Sequence, residues 1–349
     1  MVYSRRLIHG GSASRRGAGA DPLLVFVMAV AGLAGCGTAN GATTAQQPTT
    51  LRYQGSVGAV TLPELAADLG YLGGVRLRWI GNTISGPQDI QAATTGDTDF
   101  GGAFNGAIVK LKAAGAPITA VVGYYGVDAR SYNGFYVRDG GPVHSARDLI
   151  GRKVGMNTLG AHHEAVLKTY LSRNGLSDAQ AGQVAEVVVP PVNAEQALRA
   201  GQLDVAVLGG PLRDKALARG GIHPLFTDFD LLGAFTAGSY VFRADFIKRH
   251  PVTVRAFVAG VARAIEWART QPRETVVAEY GKILKSRGRA EDDSQVRYWR
   301  STGVAGTGGL IADAEFATWI DWLTRDGELK GRTVRPVDLY TNDFNPYRS

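Results

Sequence analysis

The residues best suited to chemistry in this chain lie in the string TLGAHH, residues 158 to 163. The string opens a segment with helical apolar spacing, so its backbone amides are expected at a helix N-terminus. Free amides there, assisted by the helix dipole, can hold an anion such as a sulfonate, nitrate or carboxylate, with a charge contribution of up to ~2 kcal/mol. A plain helix cap with surface histidines is the alternative for His162 and His163.

Other chemistries require spacings that the sequence does not provide. His163 and Glu164 begin a string of the zinc-protease type, but Leu167 occupies the place of its second histidine. No Gly-x-Ser-x-Gly nucleophile turn occurs. The glycine-rich run GVAGTGG at 303 to 309 lacks the Lys-Ser/Thr of a phosphate loop. We therefore expect no catalytic residue, no metal and no cofactor.

The elements that must position such loops follow from the order of strands and helices. After residue 50, short apolar strands alternate with helices, which predicts an α/β fold with doubly wound, mostly parallel sheets. Ligands of such sheets bind outside the carboxyl ends of the strands. The loops at those ends supply the candidate ligand-binding residues: Gln54, Ser56, Ser85, Gly86, Phe104, Asn105, Tyr124, Thr158, Gly160, His162, His163, Gly209 and Gly210. Turn capping by Ser85 and Asn105 and packing by Tyr124 are the alternatives.

One helix-turn-strand pattern occurs twice, as QAATTGDTDF at 91 to 100 and as QALRAGQLDV at 196 to 205. Gly96 and Gly201 hold the place where each helix must end in a left-handed residue. The aspartate before each strand is expected to satisfy turn amides. The repeat predicts two similar lobes, although chance reuse of a common turn is the alternative.

The chain beyond residue 238 changes to helices with apolar stripes. Val254, Phe257 and Val261 recur at helical spacing, and Trp319 lies on a similar stripe. We interpret these side chains as core residues. The expected N-caps are Thr253 for the first of these helices and Asn193 for the second copy of the repeat.

The N-terminus has the features of an export signal. Arg15 and Arg16 precede the apolar run PLLVFVMAVAGLAG, which ends at Cys36, the only cysteine. LAGC resembles the lipobox of bacterial lipoproteins, which implies a signal peptide at 1–35 and diacylation of Cys36. The small polar residues that follow predict a flexible tether at 36–50.

Two further interpretations of this end stay open. Cys36 could instead be a buried thiol at the end of an uncleaved anchor, and Arg5-Arg6 faintly resembles a twin-arginine signal. Whether Cys36 carries lipid or ends an uncleaved anchor, we expect the rest of the chain outside the cytoplasm. The first 35 residues carry +3 of the formal charge of +7, and no basic run follows, so we expect no nucleic-acid partner.

The run IQAATTGDTDFGGAFNGAIVKLKAAGAPITAVVGYY is similar to the first lobe of ABC-importer solute-binding proteins of the nitrate, sulfonate and taurine type. The similarity continues through VHSARDLIGRKVGMNTLGAHHEAVLKTYLSRNGL, VNAEQALRAGQLDVAV and FRADFIKRHPVTVRAFVAGVARAIEW. It covers most of residues 51 to 285.

This resemblance implies a two-lobed periplasmic-binding-protein fold of the type II kind. Residues 51–133 and 238–349 would form lobe 1, with the helical C-terminal part packed on it, and residues 134–237 would form lobe 2. A small anionic solute would bind in the cleft between the lobes of a monomer. Closure of the lobes would then be recognised by ABC permease and ATPase subunits.

Two other classes of function remain as alternatives. Pyrimidine-precursor synthases resemble the same family, but they depend on a cysteine-rich motif that this chain does not contain. An enzyme or sensor on this fold is therefore the second interpretation. A lipid-anchored adhesion domain without a small ligand is the third.

Overall fold

A computed structural model describes residues 47–289 and 291–349. The predicted signal peptide, Cys36 and most of the predicted tether lie outside these residues. Within the predicted tether range, Thr50 is the first residue of a strand. None of the helices in the described ranges is long and apolar enough to cross a membrane.

Strands and helices alternate as far as residue 243, and helices dominate the remainder. The strands are β1 (Thr50–Gly55), β2 (Arg76–Asn82), β3 (Phe100–Phe104), β4 (Ile118–Val127), β5 (Asn133–Arg138), β6 (Lys153–Met156), β7 (Ala185–Val188), β8 (Val205–Gly209), β9 (Ile222–Thr227) and β10 (Phe235–Arg243). The helices are α1 (Leu62–Asp68), α2 (Gly86–Thr95), α3 (Asn105–Ala113), α4 (His162–Arg173), α5 (Asp178–Ala181), α6 (Pro191–Arg199), α7 (Gly210–Ala218), α8 (Asp228–Leu232), α9 (Ala244–Arg249), α10 (Pro251–Thr270), α11 (Arg273–Ser286) and α12 (Ala314–Arg325).

Two groups of five strands have the same order. In what we call lobe 1, β10 lies antiparallel between β3 and β4, and β1 pairs with β2 in parallel. The Asp99 amide donates to the Arg52 carbonyl, which places β1 beside the start of β3. The order is thus β2-β1-β3-β10-β4, and in lobe 2 it is β7-β6-β8-β5-β9, with β5 antiparallel to its neighbours. The predicted α/β fold with parallel-containing sheets is confirmed.

The sequence repeat corresponds to equivalent parts of the two lobes. α2 and β3 contain the first copy and α6 and β8 the second, and both helices are followed by a left-handed glycine. The aspartates do not serve turn amides as expected. Asp99 accepts from the Arg52 amide at 2.6 Å, and Asp204 accepts from the Lys153 amide at 2.9 Å. The Asp99 carboxylate therefore fastens β1 to the start of β3, and the Asp204 carboxylate fastens β6 to the start of β8.

The helical tail supplies much of the lobe 1 core. Val254, Phe257 and Val261 of α10 are fully buried in a cluster that includes residues of β1, α1 and β10. Trp319 of α12 packs in a second cluster with residues of β3 and α3. The interpretation of these stripes as core is confirmed.

Both predicted N-caps are wrong. α6 begins at Pro191 and α10 at Pro251, each with proline in the first turn, where its fixed φ and missing N–H are tolerated. Asn193 and Thr253 therefore lie inside their helices. The Thr253 hydroxyl instead donates to the Pro48 carbonyl at 3.0 Å.

The glycine-rich run at 303 to 309 packs directly on β4. The Gly126 amide donates to the Thr302 carbonyl at 3.2 Å. A Cβ on Gly303 would lie 2.2 Å from the Gly126 carbonyl oxygen, and its φ of +66° also requires glycine. These glycines allow two backbones to approach closely.

Candidate ligand-binding site

The two lobes meet at the carboxyl ends of their strands. The Asn157 side-chain amide, after β6, donates to the Ile84 carbonyl, after β2, at 3.3 Å. The Ser85 hydroxyl lies 3.4 Å from the Thr158 hydroxyl and donates to it. Two of the predicted site residues are thereby brought together from opposite lobes.

His162 fills the space between the lobes beside this contact. Its ring stacks on Phe104 of lobe 1 at 5.3 Å between centroids and meets Phe235 edge-on at 5.7 Å. Nε2 lies 3.3 Å from an oxygen of the fully buried Asp228 but makes no hydrogen bond within the described chain. Asp228 instead accepts from the backbone and side-chain nitrogens of Asn133.

A cavity of about 200 Å³ lies in lobe 2 at the ends of β6 and β8. The N-terminal parts of α4, α6 and α7 border it. None of the described residues that line it is acidic or a lysine or arginine. Its lining consists of Asn133, Met156, Asn157, His163, Val189, Pro191, Ala194, Val207, Leu208, Gly209 and Leu212.

His163 is the one side chain with an acid–base group among the described residues that line the cavity. Burial lowers its pKa to about 3, with the neighbouring His162 a smaller contribution in the same direction. The ring is therefore neutral near pH 7. Nδ1 is buried and has no hydrogen-bond partner among the described residues.

Two predicted residues of lobe 1, Asn105 and Gly86, are held by contacts inside that lobe. Asn105 is fully buried. Its side-chain nitrogen donates to the carbonyls of Thr236 and Glu315, both at 3.3 Å, and its oxygen accepts from the Ser239 hydroxyl at 2.8 Å. Gly86 packs so closely on Ala103 that a Cβ would lie 2.9 Å from the Ala103 Cα. A ligand contact by Asn105 would require one of these bonds to break.

Tyr124 lies half-buried above β3. Its ring stacks on Tyr240 at 4.2 Å, and the absence of a side chain at Gly102 makes room for both rings. Beneath them the Gly102 amide donates to Asp89 Oδ2 at 2.7 Å, whereas Oδ1 is buried without a partner in the described chain. Burial raises the pKa of Asp89 to about 7, opposed by the Gly102 hydrogen bond.

A buried network that the sequence analysis did not identify surrounds the end of β1, where Gln54 and Ser56 lie. Glu64 accepts from the Tyr53 hydroxyl at 2.6 Å and from Arg287 at 3.1 Å. Arg289 donates to Tyr53 at 3.0 Å and lies 4.2 Å from the centre of the Trp79 ring. The sequence string SRGRAEDD carried the only signal, a basic pair before three acids.

The segment that follows joins the two lobes, and we call residues 291–301 the strap. In lobe 1, Glu291 accepts from the Gly58 amide at 2.9 Å. In lobe 2, Ser294 accepts from Lys215 at 3.0 Å. The Arg300 guanidinium donates to Asp214 at 2.5 Å.

The remaining predicted residues take other places. Gly160 adopts the left-handed conformation before α4, and its amide donates to Glu164 Oε2 at 2.5 Å. Gly210 is also left-handed and begins α7. Of the predicted set, His163 and Gly209 line the cavity. Within the described ranges no group of three or more His, Cys, Asp or Glu residues is arranged to hold a metal ion.

Solved structures share this fold at low sequence identity. The alkanesulfonate-binding protein SsuA of Xanthomonas axonopodis pv. citri, bound to MOPS, superposes with a TM-score of 0.66 at 18% identity, covering 85% of this chain and 99% of its own. The periplasmic nitrate-binding protein NrtA of Synechocystis PCC 6803 gives 0.65 at 15%, covering 85% and 87%. The desulfurization enzyme DSZB gives 0.61 at 16%, covering 85% and 97%.

The sequence comparisons identify the family. No curated protein matches the chain. The family model described as NMT1/THI5 like matches residues 75–275, which is more than half of the sequence. The chain therefore belongs to the NMT1/THI5-like family.

Proposed function

We propose that this protein is an extracytoplasmic solute-binding component of an ABC importer, which captures a small anionic solute between its two lobes. The observation that carries the proposal is the meeting of two equally ordered lobes through the carboxyl ends of their strands, at Ser85 and Thr158. That edge is where open α/β sheets bind ligands. Closure around the solute would create the shape that a permease recognises.

The anionic charge of the solute is inferred from helix ends. α4, α6 and α7 all start at this edge, and the residues before them make no side-chain capping bond. The first amides of α4, and the first-turn amides of α6 and α7 other than their prolines, would be available to oxygen atoms of a ligand, assisted by the helix dipoles. The SsuA and NrtA structures belong to proteins named for sulfonate and nitrate, which are both oxyanions.

Attachment to the membrane is part of the proposal. Cys36 would carry lipid, and the residues after it would act as a tether to the folded part. Replacing Cys36 with serine should move the protein from the membrane fraction to the soluble extracytoplasmic fraction. A variant that stays with the membrane would contradict the lipid anchor without touching the ligand site.

Thermal unfolding in the presence of candidate solutes tests the main proposal. We would compare MOPS, taurine, nitrate and sulfate with the uncharged propanol as a control. A ligand at 100 times its Kd should stabilise the protein by about 2.7 kcal/mol. Stabilisation by at least one anion and not by propanol is expected, and no response to any anion would reject the proposal.

A catalytic role is the second candidate, because DSZB is an enzyme that shares the fold. The same samples can distinguish it. A bound solute recovered unchanged, as judged by NMR after long incubation, supports transport. Conversion of the solute would favour an enzyme instead.

A further inference from the structure

The lobe 2 cavity combines apolar walls with very few polar groups. Its apolar lining residues include Met156, Val189, Ala194, Val207 and Leu212. None of the described side chains that line it is charged, so its walls offer a charged group nothing that would offset the loss of water. The walls therefore favour an uncharged group, and an anionic group is better placed at the helix ends that border the cavity.

The polar groups that line the cavity differ in whether they already have hydrogen-bond partners. The Asn133 side-chain nitrogen donates to Asp228 at 2.8 Å, and that of Asn157 donates across the gap to Ile84. A Cβ at Gly209 would lie 2.0 Å from the Asn133 side-chain oxygen, so glycine is what allows Asn133 to reach the wall. His163 has no hydrogen-bond partner at either ring nitrogen in the described chain, and Nδ1 is buried.

A buried polar atom without a partner costs free energy unless a ligand or water satisfies it. A neutral imidazole can donate from one nitrogen and accept at the other. His163 lines a mostly apolar cavity, and a ligand group that forms one hydrogen bond would satisfy its ring.

We propose that this cavity is a subsite for the body of the solute, an uncharged ring-sized apolar group that carries one hydrogen-bonding atom for His163. The inference rests on the proposed function, since the anionic group of the same solute would lie outside the cavity at the helix ends. An apolar cavity of about 150 Å³ is large enough to hold benzene. At about 200 Å³ this cavity accommodates a six-membered ring with one substituent.

Calorimetric titration with four sulfonates separates the contribution of the anionic group to affinity from that of the body. The four are methanesulfonate, cyclohexanesulfonate, benzenesulfonate and 4-hydroxybenzenesulfonate. Burial of a ring in place of a methyl group should strengthen binding by at least about 100-fold. The hydroxyl should add a further factor of about 5 through its bond to His163.

Two variants test the subsite itself. Ala194→Leu fills the cavity, so it should weaken the ring sulfonates about 10-fold or more relative to methanesulfonate. His163→Phe keeps a ring at this position and should remove only the preference for the hydroxyl compound. Ala179→Leu, on exposed α5 of the same lobe, is the matched control. The melting temperature of each empty variant shows whether it is folded.

The outcomes separate this inference from the proposed function. Equal binding of methanesulfonate and the ring sulfonates, or an equal loss for both in Ala194→Leu, would overturn the subsite while the transport proposal stands. Tight binding of nitrate or methanesulfonate alone would do the same. If none of the four sulfonates, nitrate or sulfate binds, both proposals fail.

Discussion

Lobe 1 and lobe 2 share strand order and an aspartate that fastens the second strand of that order to the third, yet their carboxyl edges are filled differently. In lobe 1, Asn105 is fully buried with its amide engaged on all sides, and the rings of Tyr124 and Tyr240 cover β3. In lobe 2 the corresponding edge keeps a cavity. The helical tail packs on lobe 1, so the carboxyl edge of lobe 1 is part of the core. The strand order places a ligand-binding edge in both lobes, and side-chain packing leaves a cavity at this edge in lobe 2.

The largest expected effect concerns the buried acid of lobe 1. The folded-state pKa of Asp89 is raised to about 7, so the favoured folded form is protonated. Its contribution is fully present below the unfolded pKa and is lost as pH rises towards 7. The wild type should therefore lose about 3 kcal/mol of unfolding free energy between pH 5 and pH 8, and Asp89→Asn should not. Urea unfolding at both pH values measures this.

Glu186 of lobe 2 provides the comparison for that experiment. Burial also raises its pKa to about 7, but the side chain is only partly buried, and Lys168 favours its charged form. Glu186→Gln should reduce the pH dependence less than Asp89→Asn does. If the two substitutions reduce the pH dependence equally, the carboxyl group of Asp89 is no more desolvated than that of Glu186.

The next effect tests whether Asn105 belongs to the lobe 1 core. Asn105→Ala leaves the Ser239 hydroxyl and two carbonyls without their partner, which should cost about 2 kcal/mol of unfolding free energy. Asn157→Ala, which removes one exposed bond, should cost less than about 0.5 kcal/mol. A loss of ligand affinity in Asn105→Ala that exceeds the loss of stability would make Asn105 a ligand contact instead.

A smaller effect is expected where the lobes touch through His162. His162→Ala removes the ring that stacks on Phe104 and contacts Phe235, so the closed form loses packing. We expect ligand affinity to fall about 10-fold, which is roughly 1.4 kcal/mol. His144→Ala, at an exposed histidine of lobe 2, is the control. Unchanged affinity would mean that His162 does not support the closed form.

The smallest effect concerns the strap. Arg300 is half exposed, and Asp214 keeps Arg213 as a second partner at 2.8 Å, so Arg300→Ala leaves no unpaired buried charge. We expect ligand dissociation to accelerate about 2- to 5-fold, and less at high salt. Arg219→Ala, which breaks a pair with Glu195 inside lobe 2, should leave the rate unchanged. Equal rates in both variants would show that the strap does not hold the lobes together.

The sequence predicted the fold better than the site, for physical reasons. The repeat and the strand-helix alternation are local patterns, and they were sufficient for the α/β architecture. The caps at Asn193 and Thr253 were misplaced because proline two residues earlier already starts each helix. The burial of Asn105 depends on Thr236 and Ser239, more than 100 residues away, which no local pattern encodes.

The cavity and the strap illustrate the same limit. Cavity walls come from β6, α6 and β8, and a wall residue such as Val207 looks like any other strand residue in the sequence. The strap residues pair with α7, far earlier in the chain. Side-chain partners chosen across such distances require the folded structure.

The chain first passes from lobe 1 to lobe 2 between β4 and β5, and the hydrogen bonds on either side of this passage limit where the molecule can bend. The Ser301 hydroxyl donates to Asp128 at 2.6 Å, which ties that end to the tail of lobe 1. Five residues later, Asn133 is tied to Asp228 in lobe 2. The segment between these anchors is itself held to lobe 2, because Arg213 donates to the carbonyls of Arg130 and Tyr132 at 2.9 and 3.0 Å. A rotation that separates the lobes would therefore either turn at the peptide units next to Asp128 or break the bonds of Arg213.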